Sequence, residues 1–196
     1  MSLLPARRPD PSDLVPSRRR LAPLAGQLAQ EASLAALLGG NLFGRVAMHP
    51  ALADVSDKSE RGQVLNGAWR RYGTVNSLAL VGLVAGWAST RGDERGPRWS
   101  SRRRATLVLS KDIAVGAVVV TGLASAVGGV GFAQQAPDGA VPMDSGSETA
   151  AETPARAATL KRVVNVLGGL NLAAELSLVA VNALLQRSGS RGLLAR

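Results

Sequence analysis

Apolar residues are concentrated in four long stretches of the chain, and polar segments separate the stretches. They cover residues 34–48, 72–89, 113–133 and 163–186. The third stretch has no charged residue and is close to the roughly 20 residues that an α-helix needs to cross a hydrocarbon core about 30 Å thick. The pattern predicts an all-α fold, an integral membrane four-helix up-down bundle.

Polar borders set the expected limits of each helix and of the segments between them. The four helices are predicted over residues 31–49, 70–90, 105–133 and 160–187, which together form a transmembrane domain over residues 31–188. Residues 1–30 are predicted to be a basic, partly disordered cytoplasmic segment, and residues 189–196 a basic cytoplasmic tail. Residues 134–159 are acidic and rich in Ser, Ala, Pro and Gly, which is typical of a flexible outer loop.

Charge between the helices predicts the orientation of the chain. Arginines occupy the N-terminal segment and the gap between helices two and three: Arg7, Arg8, Arg18, Arg19, Arg20, Arg91, Arg95, Arg98, Arg102, Arg103 and Arg104. The loop over residues 134–159 instead carries Asp138, Asp144, Glu148 and Glu152. Because basic flanks stay inside, both termini are predicted to be cytoplasmic in a multi-pass protein of the bacterial plasma membrane. Anionic lipid is the expected partner of the arginine-rich face.

Composition narrows the chemistry that the chain can perform. Hydrophobic residues make up 46% of the sequence but aromatic residues only 3%, so a water-soluble core would consist almost wholly of Ala, Val, Leu and Gly. The absence of cysteine excludes disulfides, thiolate metal sites and Cys nucleophiles. His49 is the single histidine, so we expect no metal, no cofactor and no catalytic residue. The net charge of +9 is explained by membrane orientation, and no nucleic acid is expected as a partner.

Small residues four positions apart occur in every predicted helix. The pairs are Gly40 and Gly44, Gly82 and Gly86, Ser125 and Gly129, and Gly169 and Ala173. This spacing allows helix backbones to approach closely in lipid, where apolar burial does not drive association. We expect the pairs to lie at contacts between helices of one chain. A seam between two copies of the chain, or with another membrane protein, is the alternative.

Polar residues inside the apolar stretches define a candidate site. Asn41 and Arg45 are four residues apart in helix one, and Asn171 and Glu175 have the same spacing in helix four, so each pair lies on one helical face. Helices one and four should be antiparallel, which predicts a cluster of these four residues. The cluster either fixes helix register or binds an ion, a proton or a small ligand. Alternatively, Arg45 extends to the outer surface and leaves Glu175 without a partner.

Other polar residues are assigned to the ends of the helices. His49 precedes Pro50 and is expected to end helix one at the outer surface, where it is also a candidate ligand or proton carrier. Lys111 and Asp112 are adjacent near the start of helix three and are expected to form an interfacial charge pair with each other.

Residues 38–89 contain four short strings that bear on the family. They are Gly39-Gly-Asn-Leu-Phe43, His49-Pro-Ala-Leu52, Trp69-Arg-Arg-Tyr72 and Ser77-Leu-Ala-Leu-Val81. With these strings the chain resembles the uncharacterised DUF1772 group of small four-helix membrane proteins, which is related to the anthrone oxygenase-like proteins. The resemblance implies a four-helix membrane architecture and directs attention to His49 and Pro50. Helices three and four lack the tryptophan-proline and proline-asparagine strings expected in that group.

Several functions remain open on this basis. The leading hypothesis is a non-enzymatic structural or accessory subunit of the membrane. The second is a small ion- or proton-coupled transporter that uses Glu175, and the third is an anthrone oxygenase-like enzyme that uses His49. A soluble helical protein that binds nucleic acid, and a twin-arginine export signal around Arg18 to Arg20, are the alternatives to the membrane interpretation.

Overall fold

The computed structural model describes the backbone of residues 18–94 and 102–194, which is helical almost throughout. Its long helices are α1 (Arg18–Phe43), α2 (Lys58–Glu94), α3 (Arg102–Ala133) and α4 (Ala155–Leu194). Within these ranges no β-strand is formed, although Met143 and Thr149 make an isolated antiparallel bridge. The predicted all-α class is confirmed. The predicted N-terminal segment up to residue 17, together with Arg95 and Arg98, lies outside the described residues.

Helices extend beyond the limits that hydropathy predicts. α1 begins at Arg18, so residues 18–30 of the predicted basic segment belong to this helix; they are rich in the helix formers Ala, Leu and Gln. α2 begins at Lys58, because the Asp57 carboxylate accepts a hydrogen bond of 2.8 Å from the Glu60 backbone N–H. α4 runs to Leu194 and includes most of the predicted tail. Hydropathy therefore marks the apolar middle of each helix and misses its polar turns.

Neighbouring helices run antiparallel. α1 packs most extensively along α2, and α3 along α4, while contacts of α1 with α4 and of α2 with α3 join the two pairs. The connections over residues 44–57 and 134–154 touch each other through a backbone hydrogen bond of 3.0 Å from Gly146 N to His49 O. These connections form what we term the loop end. The start of α1 and the end of α4 lie at the opposite end, termed the terminal end.

Two apolar clusters fill the interior. The larger cluster lies between all four helices and contains Leu34, Leu37, Ala79, Leu83, Ala114, Val115, Val118 and Leu178. The second lies at the loop end and contains Leu52, Leu65, Phe132, Val141, Met143 and Ala157. Apolar burial therefore holds the helix middles together and also attaches the long connection to the helices.

Close approach through small residues is concentrated between α1 and α2. A Cβ atom added at Gly40 would lie 2.3 Å from the Tyr72 ring, and one at Gly82 would lie 2.3 Å from Ser33 Oγ. At Gly129 an added Cβ would meet nothing within 4 Å, so that predicted contact is absent from the structure. The spacing alone does not distinguish a glycine at a helix contact from a glycine on an open face.

α1 ends in a widened turn rather than a simple stop. Residues Gly44–Met48 form a π-helical turn, which is followed by the short helical segment His49–Ala51. Gly44 is buried, and a Cβ atom at this position would lie 2.7 Å from the Trp69 side chain. The turn thus places His49 at the loop end, beyond the apolar stretch over residues 34–48.

Residues 134–154 fold against the helices and form a structure that we term the loop-end cap. Val141 and Met143 are fully buried in it. Asn66 Nδ2 donates a hydrogen bond of 2.8 Å to the Gly139 carbonyl oxygen, and Gly139 has a positive φ of 73°. Lys58 is bridged to Asp144 at 3.0 Å, and this hydrogen bond raises the pKa of Lys58. The structure therefore differs from the predicted flexible loop, because apolar residues scattered among Gly, Pro and Ser are buried against α2.

Arg61 organises the loop-end cap by binding backbone carbonyl groups. Its guanidinium donates hydrogen bonds to Val55 O at 2.6 Å, Asp144 O at 2.7 Å, Ala53 O at 3.0 Å and Met143 O at 3.4 Å. The planar guanidinium can serve several acceptors at once because it has five N–H donors in a fixed arrangement. One side chain of α2 thus joins both connections of the loop end.

Charged side chains near the terminal end pair between helices. Lys111 and Glu94 form a salt bridge of 2.6 Å, and both side chains are largely buried. Asp112 accepts a hydrogen bond of 2.7 Å from Trp87 Nε1 and forms a salt bridge of 3.2 Å with Arg91. The predicted pairing of Lys111 with Asp112 is corrected, because adjacent residues on a helix point in different directions.

In the described part of the chain, two helices could cross a membrane by length and composition. They are the stretches Arg102–Ala133 and Ala155–Arg187. α1 and α2 do not meet this test in the described residues, so two of the four predicted spans are confirmed as apolar enough to cross a membrane. Only 22% and 17% of the most apolar windows of α3 and α4 are buried. A helix in the core of a water-soluble protein would be mostly buried.

We expect the substitution Arg61→Gln to loosen the loop-end cap selectively. Loss of the charge-assisted hydrogen bonds from Arg61 to four backbone carbonyls, two of them at exposed positions, should cost about 1–3 kcal/mol. Hydrogen exchange of the Met143, Gly146 and Ala150 amides should accelerate about 10- to 100-fold, while exchange in the middle of α3 should be unchanged. Arg70→Gln, at an exposed position on the same helix, is the matched control. Equal acceleration in both variants would contradict the role of Arg61.

Candidate functional site

A buried carboxyl group joins α1 and α4 at the middle of the molecule. Glu175 has 0% relative exposure. Its Oε1 accepts hydrogen bonds from two amide groups, Asn41 Nδ2 at 2.7 Å and Asn171 Nδ2 at 2.8 Å. Asn171 is also buried, whereas Asn41 is partly exposed. The structure thus brings together three of the predicted site residues.

The arrangement follows from local helix geometry. Asn171 and Glu175 are one turn apart on α4 and share a face, so both side chains reach the same point. α1 is antiparallel to α4 and presents Asn41 there. The amides can only donate through Nδ2 and accept through Oδ1, so Glu175 is the natural acceptor for both. We term Asn41, Asn171, Glu175 and their neighbour Thr121 the Glu175 layer.

Thr121 adds α3 to the Glu175 layer, and sequence reasoning missed it. Its hydroxyl oxygen lies 2.8 Å from Asn171 Oδ1 and 2.6 Å from the Ala117 carbonyl oxygen. The single hydroxyl proton serves one of these acceptors at a time. A threonine in an apolar helix can satisfy itself on the carbonyl one turn back, so its sequence position carries no signal of a partner on another helix.

One oxygen of the buried carboxyl has no partner among the described residues. Glu175 Oε2 is buried and accepts no hydrogen bond from them, in contrast to Oε1 with its two donors. The Tyr72 hydroxyl, on α2, donates to the Ala36 carbonyl at 2.6 Å instead. An unsatisfied carboxyl oxygen in an apolar interior is costly, so Oε2 is a position for a proton or a small cation.

Arg45 lies apart from Glu175, which corrects the prediction of a single four-residue cluster. Its Nη2 donates a hydrogen bond of 3.2 Å to the Asn165 carbonyl oxygen, and the residue is exposed. Arg45 is one turn closer to the loop end than Asn41, and its long side chain extends further along the antiparallel α4 to Asn165 and Gly168, away from Glu175. The long side chain extends towards the surface, as the alternative interpretation of the sequence predicts.

His49 belongs to the loop end and not to the Glu175 layer. Its Nδ1 and Ser147 Oγ share a hydrogen bond of 3.2 Å, and its ring is edge-on to Trp69 at 6.2 Å. Nε2 is buried without a partner among the described residues. Burial, together with the positive charges of Lys161 and Arg45, lowers the pKa of His49 to about 4. At neutral pH the imidazole is therefore uncharged.

Neither the Glu175 layer nor the surroundings of His49 have the composition of a metal centre. In the part of the chain that the structure describes, no group of three or more His, Cys, Asp or Glu side chains could hold a metal ion. The donors to Glu175 are the carboxamides of Asn41 and Asn171, and the Thr121 hydroxyl contacts Asn171. The arrangement can hold a proton, position a carboxylate or fix the register of three helices.

Comparisons with known proteins did not identify a relative of this chain. No family model, no curated protein and no solved structure matches the chain. The resemblance of residues 38–89 to the DUF1772 group stays a prediction, and function is argued below from the geometry of the chain.

Asn41 and Glu175 should be energetically coupled, whereas Arg45 and Glu175 should not. In a double-mutant cycle of Asn41→Leu and Glu175→Leu, we expect an interaction energy of about 0.5–3 kcal/mol, because each substitution removes the partner of the other. The control cycle of Arg45→Gln and Glu175→Leu should be additive within about 0.5 kcal/mol. The measurement is the equilibrium unfolding of the purified protein in mixed micelles. Coupling in the control cycle, or additivity in the first, would contradict the observed partners.

Proposed function

We propose that the chain is an integral membrane four-helix up-down bundle that serves as a structural or accessory subunit of a bacterial plasma membrane. The observation that carries the proposal is the apolar surface of α3 and α4. Large hydrophobic side chains of these helices are exposed along their whole apolar length: Leu109, Ile113, Val120, Leu123, Val127, Val130, Val163, Val166, Leu170, Leu176, Val179 and Leu184. Water would disfavour this surface by about 25 cal/mol per Å², whereas lipid tails would cover it without cost.

The same apolar band continues on the other two helices. Exposed hydrophobic residues of α1 and α2 lie at matching positions between the ends: Leu24, Leu28, Leu42, Phe43, Val75, Leu78, Val81 and Val84. In α3 the uncharged segment after Asp112 extends to Ala133, about 30 Å at 1.5 Å per residue. These features support insertion of all four helices, with α1 and α2 partly covered by α3 and α4.

The proposed orientation rests on the charges at the two ends of the bundle. The loop end carries the acidic residues Asp144, Glu148 and Glu152 of the cap, and the terminal end carries Arg102 and Arg103. The basic bias supports a cytoplasmic terminal end with both termini inside and the cap outside. Anionic lipid would then contact the arginines at the start of α3.

The Glu175 layer fits a structural role. Its hydrogen bonds run from α1 to α4 and on to α3, so any slip of one helix along another would break them. Buried polar groups in membrane bundles are satisfied by one another and specify how the helices align. A subunit with one defined arrangement can present a constant surface to a membrane partner or to a second copy.

Membrane insertion and orientation are tested together. In bacterial cells expressing the chain, we expect it in the membrane pellet, resistant to extraction at high salt or alkaline pH and released by detergent. Single cysteines can be introduced at exposed Glu148 in the cap and exposed Arg102 at the terminal end, because the chain has none of its own. A membrane-impermeant thiol reagent added to intact cells should label the first and not the second. Recovery of the protein from a detergent-free supernatant would contradict insertion, and the reverse labelling would contradict the orientation.

A second candidate function is favoured by one observation. Glu175 Oε2 is buried and has no partner among the described residues. A carboxyl with one oxygen held by two amides and the other free could take up and release a proton during transport. The corresponding proposal is a small proton- or ion-coupled carrier in which Glu175 is the titrating group.

Proteoliposomes separate the carrier from the structural subunit. If Glu175 carries protons, an imposed pH gradient should dissipate faster across proteoliposomes than across empty vesicles, and Glu175→Gln should abolish the difference. Glu60→Gln, at an exposed carboxylate near the loop end, is the matched control and should keep the wild-type rate. Equal rates for wild-type protein and Glu175→Gln would remove the carrier and leave the structural role.

A further inference from the structure

Basic side chains converge at the loop end between α1 and α4. Arg45 and His49 are four residues apart at the end of α1, and Lys161 and Asn165 are four residues apart on the facing part of α4. Hydrogen bonds connect three of these residues through the cap: His49 to Ser147 Oγ at 3.2 Å, Asn165 Nδ2 to Ser147 O at 2.7 Å, and Arg45 to Asn165 O at 3.2 Å. We term Arg45, His49, Lys161 and Ser147 the basic site.

Lys161 is the decisive residue of the basic site, because its side chain is largely buried and none of the described acidic residues pairs with it. The residue is 5% exposed, and its ammonium lies 5.6 Å from the centroid of the Phe132 ring. It makes no ion pair or hydrogen bond with any described residue. A buried ammonium without an anion is strongly unfavourable, and a single cation–π contact offsets only part of the cost.

The terminal end shows how this chain satisfies a buried lysine when it supplies the counterion itself. Lys111 is 4% exposed and forms a 2.6 Å salt bridge with Glu94. At the loop end the acidic residues are engaged elsewhere or exposed: Asp144 is paired with Lys58, and Glu148 is exposed. The counterion of Lys161 is therefore missing from the described part of the chain itself.

Besides Lys161, the basic site has hydrogen-bond donors that a ligand could contact. The Arg45 guanidinium uses one N–H for Asn165 O and is exposed, so an incoming ligand can reach it. His49 Nε2 is buried and has no partner among the described residues. The positive charges of Arg45 and Lys161 both contribute to the lowered pKa of His49, in accord with their closeness to the ring. The Arg45 guanidinium, the Lys161 ammonium and one proton of the His49–Ser147 pair, on either Nε2 or the hydroxyl, can donate to an oxyanion from several directions.

We propose that the basic site binds a phosphate oxyanion, with Lys161 as its buried counterion and Arg45 as its exposed contact. Both a free phosphate and a phosphodiester present at least two acceptor oxygens that share negative charge and point in different directions, which matches a guanidinium and an ammonium on two helices better than a planar carboxylate would. The phosphate belongs either to a phospholipid headgroup or to a free ion. This inference does not depend on the structural or carrier role proposed above.

Free phosphate is tested on the purified full chain in a detergent without phosphate. Isothermal titration with inorganic phosphate should show one site per chain, and Lys161→Gln and Arg45→Gln should each weaken binding about tenfold or more. Arg162→Gln removes the same charge from the exposed position next to Lys161 and should bind as the wild type does.

A phospholipid headgroup is tested by native mass spectrometry of the same preparations, reconstituted into nanodiscs of phosphatidylglycerol or of a phosphate-free galactolipid. Retention of one phosphatidylglycerol by the wild type and by Arg162→Gln, lost in Lys161→Gln and Arg45→Gln, assigns the headgroup. Retention of the galactolipid to the same extent would overturn the proposal, because phosphate would then not be the group recognised.

Two results would overturn the proposal even if Lys161→Gln folds poorly. In the first, the wild-type chain binds neither inorganic phosphate nor phosphatidylglycerol. In the second, Arg45→Gln and Arg162→Gln lose binding equally, which would indicate only a general attraction of the anion to positive charge. Arg45 is exposed, so its substitution leaves the packing of the core intact and provides the required comparison.

Discussion

The hydrogen bonds that Glu175 accepts are the constraint on which the arrangement of the helices depends. Asn41 and Asn171 donate to Oε1 of this buried carboxyl from two helices, which offsets part of the cost of its burial. Contacts on either side of Glu175 continue the antiparallel packing of α1 and α4. Arg45 donates a hydrogen bond of 3.2 Å to Asn165 O on one side, and Asn182 Nδ2 donates one of 3.1 Å to Glu31 on the other. The three contacts together define how the two helices align.

Much of the site could be predicted because helix periodicity is a strong signal. The spacing of Asn171 and Glu175, with antiparallel α1 and α4, was enough to bring Asn41 to them. It was not enough to place Arg45, because its long side chain can extend by a full turn along the helix in either direction. Lys161 could not be found either. Whether a lysine near the start of a helix is buried depends on the segment that covers it. The loop-end cap has no regular spacing of apolar residues from which its position could be predicted.

The fold was likewise predictable where apolar residues repeat with the helix period and not where they do not. The four helices were predictable from their apolar stretches, but their polar first turns depend on local capping, as at Asp57. The connection over residues 134–154 has the composition of a mobile loop. Its few apolar members, Val141 and Met143, nevertheless fit a cluster formed by residues distant in sequence. Contacts of this kind join residues distant in sequence, so the composition of a short segment does not reveal them.

The two ends of the α1–α4 seam are fastened by different kinds of contact. At the loop end, backbone hydrogen bonds and the Arg61 guanidinium tie the connection after α1 to the connection before α4. Among the described residues at the terminal end, the amide of Asn182 bridges to Glu31. Separation of α1 from α4 at the loop end would therefore require the loop-end cap to detach as well. Stability of the cap and access of water to the α1–α4 seam from that side are thus coupled.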